Sequence, residues 1–356
     1  MSENHYHSDT VTEKERNVIE IVLHHYDINV HNITKVRSVY KVESDKGTLC
    51  VKRVKHGRRK AQNGYHLVEN LKKNNFYNTA TYFKTFRGNY YVEYGKRIYY
   101  VTSWIEGTEC NVSDINEAIG CVKLLAKFHN AVNSIDLSNI KLKNNLKNWP
   151  KIFYSNVLDI EKYKSYINRK VIKTQFDNLY NDYIDMYYQR GLTALTFLNN
   201  SNYYKLSKEA NKQKSICHNS FYYQNIIKNH DEFYLIDLDS IMIDLQIIDL
   251  GNFIRRLMSK SEYHWDFKKA KILIEHYSSI RPVSTEELEI ILSLLIFPYR
   301  FWKLGKKRYI KQKSWSEAKY LKKLNKILKY SLEEQRFIES FMNYINLVRG
   351  NIRFDY

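Results

Sequence analysis

Apolar positions change their spacing several times along the chain, and each change predicts an element. Over residues 13–27, Val18, Ile19, Ile21, Val22 and Tyr26 share one face at helical spacing, which predicts a helix. From Val30 to Val54 the period becomes two. Val39-Tyr40-Lys41-Val42-Glu43 and Thr48-Leu49-Cys50-Val51-Lys52-Arg53-Val54 flank Ser44-Asp45-Lys46-Gly47, a hairpin signature with Asp and Gly at the turn. The basic segment Lys55–Lys60 leads into a second helix through Tyr65, Leu67, Val68 and Leu71. Strand-like runs follow near Thr79–Thr85 and Asn89–Tyr94, and again over Arg97–Ile105, closed by Glu106-Gly107.

Beyond Gly107 the character shifts. Ser113-Asp114 can cap a helix carrying Ile115, Ile119, Val122, Leu125, Ala126 and Phe128. Residues 133–215 read as mostly helical. Short strands are expected at 215–217, 225–227 and 234–237, and helices at 249–259, 266–279, 285–304, 314–330 and 332–348. The reading is α+β: a strand-rich lobe with one main helix over 1–106, and a mainly helical lobe over 107–356. Only 11 Gly and 3 Pro in 356 residues favour long elements with few sharp turns.

Hydrophobic residues make up 44% of the chain, enough for a sizeable core, which argues against global disorder. A formal net charge of +19 favours anionic partners, or reflects Lys-rich composition alone. Cys50, Cys110, Cys121 and Cys217 lie far apart without a C-x-x-C pair, which argues against a metal site or a disulfide framework and fits a reducing compartment. Met1–His7 has no apolar core of a signal peptide, and the apolar run Leu288–Phe297 contains Glu289 and is too short to span a bilayer. No membrane partner is expected, and the chain is expected to be made inside a cell. The 12 His show no metal spacing, and no G-x-S-x-G elbow occurs. The run Lys303–Lys313 with Tyr309 reads better as a solvated basic helix face than as a nucleic-acid contact.

Candidate chemistry gathers between Ile216 and Arg256. An apolar run, a polar loop, an Asn, a second apolar run ending in Asp, and a third Asp opening a helix form the order of parts of a phosphoryl-transfer site. Asn225 and Asp237 are metal-ligand candidates, because Mg²⁺ takes a few hard oxygens plus phosphate and water. Asp239 is a second ligand or a turn residue. Asp249 is a helix N-cap or a support for the His218 loop. Upstream, Lys52 interrupts an apolar strand and aims at a cleft or at solvent; Glu69, on the next helix, could pair with it. His218 and Ser220 are the candidate catalytic pair. Ser220 stands where such a loop carries Asp to receive the substrate proton.

His218-Asn219-Ser220-x-x-x-x-Asn225, Ile236-Asp237-Leu238-Asp239 and Asp249-Leu250 resemble the catalytic loop and metal segment of aminoglycoside phosphotransferase/choline kinase-type enzymes. Within that group the pattern is most similar to the CotS-type spore coat family. Supporting pieces are Leu49–Val54 with Lys52, Ser103-Trp104-Ile105-Glu106-Gly107, Leu125-Ala126-Lys127-Phe128-His129 and Phe297–Trp302. The resemblance covers the chain after about residue 15. It implies a two-lobed protein kinase-like fold, with a small antiparallel-sheet N-lobe and a large helical C-lobe. It also implies that Lys52 meets nucleotide phosphates, that Asn225 and Asp237 hold Mg²⁺, and that Thr102, Ser103, Trp104 and Ile105 line the adenine edge. The implied setting is the endospore coat, assembled in the mother-cell cytoplasm, with other coat proteins as partners.

Two departures weaken the enzyme reading. Asn219-Ser220 replaces Gly-Asp, and a Ser hydroxyl is no base near neutral pH; losing a general base costs ~10²–10⁴ in rate. The phosphate-covering hairpin, His31–Tyr40, contains no Gly. Lys52, Asn225 and Asp237 either bind ATP with Mg²⁺ or survive as structural polar contacts. The expected function is a coat structural or assembly protein with a degenerate kinase site; the alternative is an ATP-dependent phosphotransferase acting on a small-molecule or protein hydroxyl.

Overall fold

The structure is a computed structural model that describes residues 8–54 and 57–351. The polar start Met1–His7, and Lys55 and His56 of the basic segment, lie outside the described residues. By packing, the chain forms two compact units. The first takes in the chain up to Asn111, Lys123–Lys143 and His218–Met242; the second takes in Val112–Val122, Asn144–Cys217 and Ile243 onward. These units are not the contiguous stretches 1–106 and 107–356. The loop His218–Asn225 and the Asp237 segment belong with the N-terminal sheet.

The first unit is built on a six-stranded antiparallel sheet. Its elements are β1 (Ser8–Asp9), α1 (Glu13–His24), β2 (Val30–Val36), β3 (Val39–Ser44), β4 (Gly47–Val54), α2 (Arg58–Lys73), β5 (Val92–Tyr94) and β6 (Arg97–Ser103), with strand order β1-β2-β3-β4-β6-β5. The β3–β4 hairpin turns where Asp and Gly predict it, and Gly47 adopts φ 91°. Alternation along β4 sends Leu49 and Val51 into a core with Ile19, Val22 and Leu23 of α1. Lys52 stands in the opposite set, across from Tyr100 on β6. A smaller sheet joins β7 (Thr108–Glu109) to Ile226–Asn229 and then Glu232–Leu235. Gly107, at φ 130°, admits β7 to this sheet, because a Cβ there would collide with the Lys228 carbonyl.

Some expected strands are not formed. Thr79–Thr85 forms no strand; its ladder pairing is limited to isolated bridges, Thr79 to Leu235 and Tyr82 to Thr102. Of Asn89–Tyr94, only Val92–Tyr94 pairs.

Glu15 fastens α1 to the β2–β3 hairpin. Its Oε1 accepts from the Tyr40 hydroxyl at 2.8 Å and from Lys35 Nζ at 3.0 Å, and its carboxylate completes a capping box with Thr12. Tyr40 is the largest cause that holds the Glu15 carboxyl down at about 2, against the opposing effect of burial. A depressed folded-state pKa stabilises the fold above the ordinary carboxyl value and loses that contribution as pH falls towards the folded value. Glu15→Gln is therefore expected to cost about 1–2 kcal/mol in urea unfolding at pH 7 and clearly less at pH 3. An equal cost at both pH values would contradict this account.

The second unit is helical. It contains Trp149–Asn168, Gln175–Asn200, Tyr203–Gln213, Ile247–Met258, Phe267–Ser278, Thr285–Ile296, Tyr299–Gly305, Glu317–Leu328 and Ser331–Asn351. The helix Ile115–Val132 starts in this unit, with the Asp114 carboxylate accepting from Asn116 N–H at 2.8 Å, and ends in the first. The single helix expected over 285–304 is two, because Pro298 lacks an N–H and Phe297 before it turns to φ −56°, ψ 124°. Asp249 is the third residue of its helix, and Gln246 holds the N-cap position. Much of the Tyr content is interior: Tyr163, Tyr180, Tyr187 and Tyr320 pack with Phe176 and Phe301 in one aromatic core.

Candidate active site

Apart from Asp249, which belongs to the second unit, the candidate site residues named from the sequence lie in the first unit. The loop after His218 is folded on itself by hydrogen bonds. His218 is fully buried, edge-on to the rings of Phe128 and Phe221. Its Nε2 pairs with the Ile236 carbonyl at 3.1 Å, and its Nδ1 accepts from Ser220 N–H at 3.3 Å. This arrangement fits a neutral ring protonated at Nε2, with a positioning role. Asn225 Nδ2 donates to the Ser220 carbonyl at 2.9 Å, and Ile236 N–H donates to the Asn225 carbonyl at 3.0 Å. Residues 220, 225 and 237 are thus held together by short links.

Backbone geometry explains one departure in this loop. Asn219 has φ 61°, in the left-handed region that Gly adopts freely and Asn tolerates best among the other residues. Asn219 therefore keeps the loop shape, and Ser220 is the departure that changes side-chain chemistry. Asp237, at φ 65°, is also left-handed, which turns the chain from the strand Glu232–Leu235 into the 3₁₀ turn Leu238–Ser240.

Lys52 sits between two carboxylates. Its ammonium pairs closely with Asp237 and lies 3.0 Å from Asp239 Oδ2. Asp239 also receives the Tyr100 hydroxyl at 3.3 Å and faces Lys60 Nζ at 3.6 Å. Burial lowers the Lys52 pKa, but Asp239 and Asp237 outweigh it and hold the ammonium above its ordinary value. Burial and then repulsion from Asp239 push Asp237 up. Asp239, despite its own burial, is held below the usual range, first by Lys52. The two carboxylates are thus driven in opposite directions around one shared ammonium.

Glu69 does not pair with Lys52. It bonds Lys72 at 2.9 Å, three residues along α2, and its side chain is 41% exposed. The inward face of α2 is Ala61, Gly64, Leu67, Val68 and Leu71, so Glu69 lies off it. Gly64 lets the helix approach Tyr82, where a Cβ would sit 2.6 Å from the ring, and Tyr82 stacks on Tyr100 at 5.5 Å. A cation, Lys60, approaches from this helix instead of an acid.

The predicted adenine edge is tied to internal partners. Thr102 is buried opposite Cys50. Ser103 exchanges bonds with Thr81, its N–H donating to the Thr81 carbonyl at 2.8 Å and its Oγ accepting from Thr81 N–H at 2.9 Å. Trp104 N–H donates to the Thr48 carbonyl at 3.0 Å, and Lys41 Nζ lies 5.1 Å from the Trp104 ring centre. The Gly-free hairpin turns at Arg37, which takes φ 55° and pairs with Glu109 at 2.5 Å. Lys41 pairs with Glu106 at 3.3 Å. Sequence reading missed Tyr100, Tyr82 and Lys60. Tyr100 was accessible through strand alternation, since it shares the Lys52 face; Lys60 was hidden in a segment read as a basic connector.

Asn225 and Asp237 supply hard oxygen donors and Lys52 an ammonium, so the residues fit a magnesium-bound nucleotide phosphate. No group of three or more His, Cys, Asp or Glu suited to a metal occurs among the described residues, so such an ion would need phosphate oxygens to complete its shell. A metal there competes with Lys52 for Asp237.

The fold is shared with solved kinases. Over 96% of this chain and 99% of the other, it superposes on an aminoglycoside phosphotransferase from Alicyclobacillus acidocaldarius, with a TM-score of 0.81 at 18% identity. An amicoumacin kinase in complex with AMP-PNP, Ca²⁺ and Ami superposes over 94% of each chain, with a TM-score of 0.55 at 10% identity. In sequence, the chain is 25% identical to spore coat protein S of Bacillus subtilis over 67% of both proteins. The family model "Spore coat putative kinase YutH" matches residues 19–341, and the chain belongs to that family.

Proposed function

We propose that this chain is a structural or assembly protein of the spore coat whose kinase-like cleft has lost efficient phosphoryl transfer. The observation that carries the reading is the Ser220 hydroxyl, in a loop whose backbone is bonded by His218 and Asn225. The two acids that could replace the missing base are engaged elsewhere. Asp239 is buried under Lys52, Tyr100 and Lys60. Asp244 receives Leu245 N–H at 2.9 Å and the Asn145 amide at 2.6 Å, and burial pushes it up to about 6. The family and the coat protein relative favour the coat as the setting, reached from the mother-cell cytoplasm. The net charge of +19 suits docking on acidic coat components.

The surviving Lys52, Asn225 and Asp237 favour a second reading, an ATP-dependent phosphotransferase acting on a small-molecule or protein hydroxyl. When bound, a magnesium nucleotide would supply the transferable phosphoryl group and neutralise its charge. Lys52 would hold the phosphates, Asn225 and Asp237 would hold the metal, and Ser220 would leave the acceptor proton without a receiving base. Thermal unfolding with Mg·ATP, paired with ADP release, separates the two. Stabilisation of about 2.7 kcal/mol at 100-fold over Kd with no measurable turnover is the expected result. Turnover at about 1 s⁻¹, within the kinase range, would reject the first reading.

A further inference from the structure

The second unit holds a cavity of about 990 Å³ lined from six of its helices. Its lining is strongly one-signed. Arg255, Arg256, Arg300, Lys303, Lys326 and Lys329 all face it, and Glu334 is its one carboxylate among the described residues. Glu334 is already paired with Arg190, a buried residue of the same lining. Arg190 Nε is itself buried and has no hydrogen-bond partner among the described residues. The bonds of Arg255 and Arg300 go to neutral oxygens, Asn252 Oδ1 at 3.0 Å and Ser259 Oγ at 3.2 Å. Burial, then repulsion from Arg256 and Arg300, pulls the Arg255 guanidinium below its ordinary value. Cations gathered at such cost call for an anion. Tyr299, Trp265 and Tyr330 add flat apolar walls.

We infer that this cavity binds a compact polyanion, a small molecule carrying two or more carboxylate or phosphate groups on a planar or apolar body. Guanidinium forks match those groups bidentately, and the volume suits a ligand of that size. This site stands independently of the Lys52–Asp237 cleft, whatever that cleft binds.

Calorimetry on the intact protein at low and moderate salt tests it, with benzene-1,3,5-tricarboxylate and inorganic tripolyphosphate as probes. Binding of either probe is expected, and the stronger one identifies the anion class. Arg255→Gln with Arg300→Gln is expected to weaken it at least tenfold. Should that variant fold poorly, Lys326→Gln with Lys329→Gln on the exposed rim is expected to weaken it several-fold. Lys162→Gln with Lys212→Gln removes the same charge outside the cavity and is expected to leave binding unchanged. Equal loss in that control, no binding of either probe, or binding only of a long polyanion such as an oligonucleotide would overturn the inference.

Discussion

Replacing Lys52 with Met is expected to destabilise the folded chain by about 3–5 kcal/mol, as removing one partner of a buried ion pair does. The Lys52 side chain is 20% exposed and that of Asp239 only 5%, so two close carboxylates would lose their shared cation inside the protein. Lys60, at 3.6 Å from Asp239 and 46% exposed, is too distant and too hydrated to replace it. Urea unfolding at pH 7 measures the loss. Adding Asp239→Asn to the Met variant is expected to recover part of it, because one buried charge then disappears. A loss below about 1 kcal/mol would mean that the pair behaves like a surface contact. The measurement also bears on why the trio persists. A large loss shows that Lys52, Asp237 and Asp239 are retained for the fold, whether or not any nucleotide enters.

The second large effect is on rate. Ser220→Asp is expected to raise ADP release from Mg·ATP by ~10²–10⁴, the usual contribution of a positioned general base. The position is ready for it: Ser220 is anchored at its N–H by His218 and at its carbonyl by Asn225, so the backbone need not move. Ser220→Ala is expected to behave like the wild type, since under the proposed function the hydroxyl takes no part in proton transfer. If the Asp variant folds, is stabilised by Mg·ATP and still shows no gain, then a missing base is not what silences the site.

How far the sequence reaches depends on whether a signal is local. The β3–β4 hairpin rests on a short-range rule and appears in the structure as read, whereas the same alternation left Lys52 aimed at a cleft or at solvent. The two-helix break at Pro298 was also written in the chain, as a Pro inside an apolar run, and was read through. What stayed hidden was the choice of partner across the fold. Lys52 could have met Glu69 or Asp237 on sequence grounds. The decision falls to which residues of α2 face inward, and Gly64 against Tyr82 sets that face. The tyrosines posed the same problem. Their abundance suggests adhesive or cross-linking contacts at the surface, yet Tyr163, Tyr180, Tyr187 and Tyr320 serve as core.

The first unit is assembled from three separated stretches of chain, with His218–Met242 the last of them. A ribosome delivers residues in order. The N-terminal sheet can begin to form early, but the partners of Lys52 at Asp237 and Asp239 arrive only after the intervening helices have been synthesised. Until then Lys52 lacks the two carboxylates that it pairs with in the folded chain. Nascent chains halted before residue 218 are therefore expected to be sensitive to protease, and resistance to appear abruptly once the Asp segment clears the exit tunnel.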